Sequence, residues 1–135
     1  MPGEFALIYK YFARPTPSAI LGPGDDCALL QPTPGKQLAI TTDMLVAGTH
    51  FLPDTDPHNL GWKALAVNLS DLAAMGATPR WVLLAGSLPA VDEPWIANFA
   101  DGFFACAAEY NVDVVGGDMT RGPLNLCITA LGECA

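Results

Sequence analysis

The chain has 135 residues, 51% of them hydrophobic and 15% charged, and fourteen Asp and Glu against six Lys and Arg give a formal charge of −8. One domain with a real core is the natural reading of that length and apolar share. So acidic a chain offers phosphate backbones and anionic membranes no footing, which excludes nucleic acid and lipid surfaces as partners. Small phosphorylated ligands stay open, provided divalent cations stand between the phosphates and the acidic side chains.

From the N-terminus, Phe5, Ile8 and Phe12 in EFALIYKYF fall at helical spacing and predict a short helix over residues 4 to 12. The segment has no basic n-region and no long apolar run, so it is not a signal peptide, and no stretch of the chain is long enough to span a bilayer. A cytoplasmic protein is expected. ARPTPSAILGPGDD reads as a Pro- and Gly-rich loop, CALLQ as a strand, PTPGK as a turn and QLAITTDMLV as a second strand. Asp56-Pro57 is a helix start, Asp capping and Pro suiting the first turn. That helix runs through LGWKALAVNLSDLAAM and stops at Gly76. RWVLLAGSL is a third strand. Asp92 opens a second long helix, EPWIANFADGFFACAAEY, ending near Asn111. VDVVGG and NLCITALGE are a fourth and fifth strand joined by a turn at TRGPL.

This order predicts an α+β fold, a mixed β-sheet with two long helices packed on one face. No internal repeat is visible. The chain stops directly after an apolar strand, as though a second domain followed. The four cysteines, Cys27, Cys106, Cys127 and Cys134, form no C-x-x-C pair and stand at no zinc-ligand spacing; reduced core thiols are expected. Trp62, Trp81 and Trp95 are expected in the core or at a dimer contact, and His58 on the surface.

The carboxylates carry the chemistry. Asp25 and Asp26 precede a strand, Asp43 ends one, Asp118 follows Gly116 and Gly117 at the end of another, and Asp71 sits near the C-terminal end of an apolar helix. None has a Lys or Arg beside it in sequence. Asp71 stands out, because a buried carboxylate is costly and a helix C-terminus repels negative charge. If these elements converge, carboxylates ~4 Å apart repel by roughly 4 kcal/mol at an effective dielectric of ~20, and divalent cations must hold them together. Oxygen ligands favour Mg²⁺. Thr41 and Thr42 add hydroxyls beside Asp43. Gly22, Gly24, Gly116 and Gly117 would let backbone N–H groups approach phosphate oxygens. There is no Walker A motif and no kinase-type lysine, so metal ions would supply most of the positive charge for any phosphoryl transfer.

GEFALI, GPGDDCALL, TTDMLVAGTHF, KALAVNLSDLAAMGA and VVGGDMTRGPL, in that order, resemble the thiamine-monophosphate kinases, over nearly the whole chain. These enzymes belong to a superfamily with aminoimidazole ribonucleotide synthetase, selenophosphate synthetase and a hydrogenase maturation factor. The resemblance implies an aminoimidazole ribonucleotide synthetase-like N-terminal domain over residues 1–135, serving ATP and Mg²⁺ binding and homodimerisation, with the C-terminal domain absent. It implies ATP-dependent phosphorylation of thiamine phosphate to thiamine diphosphate. Asp26, Asp43, Asp71 and Asp118 would be metal ligands, assisted by Thr41 and Thr42. Gly117 and Asp118 would touch ATP, and His50 the thiamine phosphate. The acceptor is already an ionised phosphate, so no general base is needed, and catalysis would rest on metals that hold two phosphates in line.

Three departures bear on this. Pro23 replaces an aliphatic residue between two glycines, Met119 replaces the Thr usual after Gly-Gly-Asp, and the second domain, which carries part of the site, is missing. The fragment alone is therefore expected to be weak or inactive. A sister enzyme of the superfamily and a non-catalytic dimerisation module are the alternative readings. Selenophosphate synthetase would show a reactive Cys near its N-terminus, whereas the first cysteine here is Cys27. A dimerisation module would need no carboxylate cluster.

Overall fold

The structure is a computed structural model and describes residues 10–23 and 27–135. Its elements are β1 (Ala19–Leu21), β2 (Leu29–Leu30), β3 (Gln37–Val46), α1 (Pro57–Ala74), β4 (Thr78–Leu88), α2 (Glu93–Glu109), β5 (Asp113–Arg121) and β6 (Asn125–Cys134). Lys10–Phe12 are helical; the rest of the helix expected over 4–12 lies outside the described residues.

β1 and β2 form a small antiparallel pair, and the other four strands form one sheet in the order β3-β6-β4-β5. β3 lies antiparallel to β6 along its whole length, from Gln37 opposite Cys134 to Val46 opposite Asn125. β6 is antiparallel to β4, and β4 is parallel to β5, its crossover being α2. The sheet is therefore mixed, as expected.

Both helices start and stop where local chemistry dictates. Asp56 accepts a hydrogen bond from the Asn59 N–H at 2.9 Å, with Pro57 in the first turn, and Asp92 accepts from the Trp95 N–H at 3.2 Å. α1 ends at a glycine with φ +72°, Gly76, and α2 at Asn111 with φ +56°, the two residue types that tolerate a left-handed cap.

The apolar stripe of α1 (Leu60, Ala64, Leu65, Leu69, Leu72) and that of α2 (Ile96, Phe99, Phe103, Cys106) close over Leu45, Val82, Leu84, Leu126, Ile128 and Ala130 of the sheet. The helices approach closely at two glycines. A Cβ on Gly61 would strike the Phe99 carbonyl, and one on Gly102 the His58 carbonyl. Trp95 stacks on Phe99 at 5.3 Å within the same layer.

Among the described residues, the other face of the sheet is covered on one side only. Trp81 and Val115 are buried there. The Trp81 Nε1–H donates to Ser18 Oγ at 3.0 Å, and the Ser18 N–H donates to Asp113 Oδ2 at 2.9 Å. On the β3 side, Leu38, Ile40 and Met44 are exposed, Ile40 by 63%.

Several expectations need correction. β1 falls in a stretch read as loop, because its strand character comes from tertiary pairing and not from local alternation. β5 continues through Gly-Gly-Asp to Arg121, shortening the turn to Gly122–Leu124. Cys27 is exposed, contrary to expectation; Cys106 is in the core with Cys134 packed against it, and burial pushes the Cys106 pKa up to about 11.

Candidate functional site

Alternation along β3 points Thr41, Asp43 and Leu45 toward the helices and Thr42 and Met44 away from them. Asp43 opposes Ile128, a fully buried residue of the core layer. From above, α1 brings Asp71 down beside it, and the two carboxyls lie within hydrogen-bonding reach. Asp71 holds the Asp43 pKa above the usual carboxylate range, by that hydrogen bond first, with partial burial and the repulsion of the second charge adding to it. The His50 ring is close enough to pull the other way. His50 is fixed by the turn after β3: its Nδ1 accepts the Val46 N–H at 2.9 Å, which puts the proton of the neutral ring on Nε2.

Asp71 itself is exposed, contrary to the burial expected of it. The buried polar residue of this helix is Asn68, one turn earlier and fully inaccessible. Its Nδ2 donates to the Ala64 carbonyl at 3.0 Å, and no donor among the described residues reaches its Oδ1. An acceptor left in that state costs about 1–3 kcal/mol.

Asp118 stands elsewhere. Its ladder partner is Ala85, then Cys127 and Met44 across the sheet, a row that faces away from the helices. β5 is three strands from β3, roughly 14 Å at ~4.8 Å per strand. Thr42 shares that outer face: its Oγ1 donates to the Ile128 carbonyl at 3.2 Å and lies 3.1 Å from Thr129 Oγ1. The expected single cluster is thus divided. Asp43 and Asp71, with Thr41 and His50, lie on the helix side, and Thr42 and Asp118 on the other. Asp43 and Asp118 therefore stand on opposite faces of the sheet, on strands three apart. Among the described residues, no three acidic, imidazole or thiol groups are close enough to hold a metal together. Asp26 and Gly24 lie outside the described residues. Gly117 precedes Asp118 with φ +150°, and a Cβ there would meet the Leu84 backbone, so glycine is required.

The donor set of the Asp43–Asp71 pair fits a hard divalent cation. It is made of oxygens, carries unbalanced negative charge, and none of the ion pairs among the described residues (Lys10–Glu93, Arg14–Asp101, Arg80–Glu133) reaches it. A shallow cavity of about 290 Å³ between Arg14, Phe104, Asn111 and Val114 contains none of these residues.

Residues 24–134 match the family model described as AIR synthase related protein, N-terminal domain. The chain belongs to this family. Within the AIR synthase related family, it is 57% identical over 129 residues to the thiamine-monophosphate kinase of Salmonella typhimurium, covering 93% of this chain and 40% of that protein. It superposes with a TM-score of 0.87 on the crystal structure of thiamine-monophosphate kinase from Stenotrophomonas maltophilia K279a, at 52% identity, covering 98% of this chain and 43% of the other. The structure of AaThiL complexed with AMPPCP and TMP gives 0.71 and 32%, covering 97% and 42%. The chain spans about 40% of the length of the curated relatives it matches. Its fold, a mixed four-stranded sheet with helices, is that of the domain these structures share.

Proposed function

We propose that the intact protein is a thiamine-monophosphate kinase, transferring the γ-phosphoryl group of ATP to thiamine phosphate. The observation that carries this reading is the meeting of Asp43 and Asp71, from a strand and a helix, with no protein cation between them. The high identity to kinases of that name and the AMPPCP and TMP complex of a related structure support the choice of substrates. A non-catalytic module has no use for two carboxyls held in mutual repulsion.

Mg²⁺ bound here would neutralise phosphate charge and orient the transferring group. The chain's own residues do the rest. Asp43 and Asp71 hold the ion, with Thr41 beside them. His50 offers its Nε2–H to an anionic acceptor, and Gly117 lets the β5 backbone pass close to a phosphate. Asp118 and Thr42, with Asp26, are assigned to further ions. No side chain has to remove a proton, because the attacking phosphate oxygen is already ionised.

We assign the protein to the cytoplasm, where its unpaired cysteines stay reduced. No helix among the described residues is long and apolar enough to cross a membrane. We also assign it a homodimer through the outer face of β3 and β6, where Leu38, Ile40 and Met44 are uncovered. The test is a turnover assay of the intact protein with ATP, Mg²⁺ and thiamine phosphate. Formation of thiamine diphosphate that disappears in Asp71→Asn is expected, and absence of product from the wild type overturns the reading.

A further inference from the structure

β1 and β2 are three and two residues long, too short to stand as a pair by themselves. Ile20 and Leu29 face solvent, so apolar burial holds the pair from one side only. A polar clamp grips each leg. Before β1, the Ser18 N–H donates to Asp113 Oδ2 at 2.9 Å and the Ser18 hydroxyl to the same oxygen, while the Trp81 Nε1–H donates to Ser18 Oγ at 3.0 Å. After β2, the Thr33 N–H donates to Glu133 Oε2 at 2.5 Å and the Thr33 hydroxyl to Oε1 at 2.9 Å, with the Arg80 guanidinium closing on Oε1. The two clamps are joined. Arg80 and Trp81 are consecutive on β4, and the guanidinium lies over the indole at 4.7 Å.

Glu133 is buried for this purpose, which is costly. A buried ion pair adds little net stability over apolar side chains of the same volume, but its bonds are directional and fix where the bonded groups lie. Here they fix the ends of the segment between the strands. Residues 22–28 join Leu21 of β1 to Leu29 of β2, which oppose each other in the pair. The start of that segment is held a second time, because Gly22 lies against Thr16 and a Cβ there would strike Thr16 Oγ1. Asp26 belongs to this segment.

We propose that Ser18, Thr33, Arg80, Trp81, Asp113 and Glu133 are positioning residues for residues 22–28, setting both ends of the segment so that Asp26 is offered to its ion. The inference rests on the kinase reading above. Supporting partners that orient a metal ligand are worth about 10–100-fold in metal affinity.

Ser18→Ala and Thr33→Val each remove one hydroxyl and leave the backbone N–H bonds in place. Two measurements on the intact protein read the result. A nitroxide on Cys27, which is exposed and directly follows Asp26, reports how firmly the segment is held, with Cys27→Ser giving the background from other thiols. Thermal unfolding of unlabelled protein, as Mg²⁺ is titrated at saturating ATP, gives the half-saturating Mg²⁺ concentration without reference to turnover. The Ser18→Ala, Thr33→Val double variant is expected to sharpen the nitroxide spectrum and to need about tenfold more Mg²⁺. Thr33→Ser keeps its hydroxyl and stays with wild type. Gly102→Ala, which loosens the α1–α2 contact, lowers the unfolding temperature and moves neither readout. An unchanged nitroxide spectrum in the double variant overturns the proposal, and so does a sharpened spectrum with a wild-type Mg²⁺ requirement. Equal shifts in Gly102→Ala also overturn it, since lost stability would then account for them. If the double variant does not fold, the two single variants decide by the same criteria. A wild type indifferent to Mg²⁺ and ATP overturns the kinase reading and this inference with it. A wild type that responds, beside clamp variants that match it, overturns this inference alone.

Discussion

Asp43 is a carboxyl whose fold works against its ionisation. Because its folded pKa lies above the unfolded one, its contribution to stability is full at low pH and is lost as pH rises through the folded value. At pH 7 the ionised pair is therefore a net cost, one that the proposed Mg²⁺ would offset. Asp71→Asn should raise the ligand-free unfolding temperature by about 1–3 °C at pH 7 while abolishing the stabilisation by Mg²⁺ and ATP. Scanning calorimetry with and without ligand checks both halves. Glu133 runs the opposite way. Thr33 binds it through N–H and hydroxyl, Arg80 adds a charge-assisted bond, and the pKa falls, the Thr33 N–H being the first cause. Its stabilisation is present above the unfolded carboxylate range and is lost as pH falls through the lower folded value. Glu133→Gln should lower the unfolding temperature at pH 7, and the gap to wild type should close in acid. At this scale the sequence singled out Asp43 but set it at the end of its strand, whereas β3 runs on to Val46 and alternation turns Asp43 toward the helices. It misled over Asp71 and Asn68. The positions 61, 65, 68 and 72 form one helical stripe, so Asn68, not Asp71, was the polar residue on the inner side.

The helices were legible because their signals are local: Asp caps, Pro in the first turn, Gly76 and Asn111 at the ends. The long strands of the sheet also showed, through alternation in β3 and apolar runs in β4 and β6. β1 did not, since its three residues become a strand by pairing with β2, while Ser18 beside them is held by Asp113 and Trp81 from distant parts of the chain. Nor could the sequence tell that Thr42 and Asp118 would share a face opposite Asp43, because strand order decides that. The α1–α2 contact depends on two glycines whose Cβ atoms would meet backbone, which cannot move aside as a side chain can. Gly61→Ala and Gly102→Ala should each destabilise by about 1–3 kcal/mol, read as a lowered urea midpoint at unchanged slope.

In the whole molecule, one face of the sheet is packed by helices and the other is half dressed. The β1 segment covers Trp81 and Val115, and the β3 side leaves Ile40 and Met44 to solvent. Charge placed there should not disturb the core. If the proposed homodimer forms through this face, Ile40→Lys with Met44→Glu shifts sedimentation of the intact protein to that of a monomer while the helical circular dichroism stays unchanged.

β3 also has a timing problem. Its sheet partner is β6, the strand farthest from it along the chain, with both long helices between them. On the ribosome, the strand bearing Asp43 must wait unpaired until Asn125–Cys134 has emerged, with Leu38, Ile40 and Met44 exposed throughout. Early stalling of translation would release an adhesive ribbon, and a trigger-type chaperone would find its natural grip there.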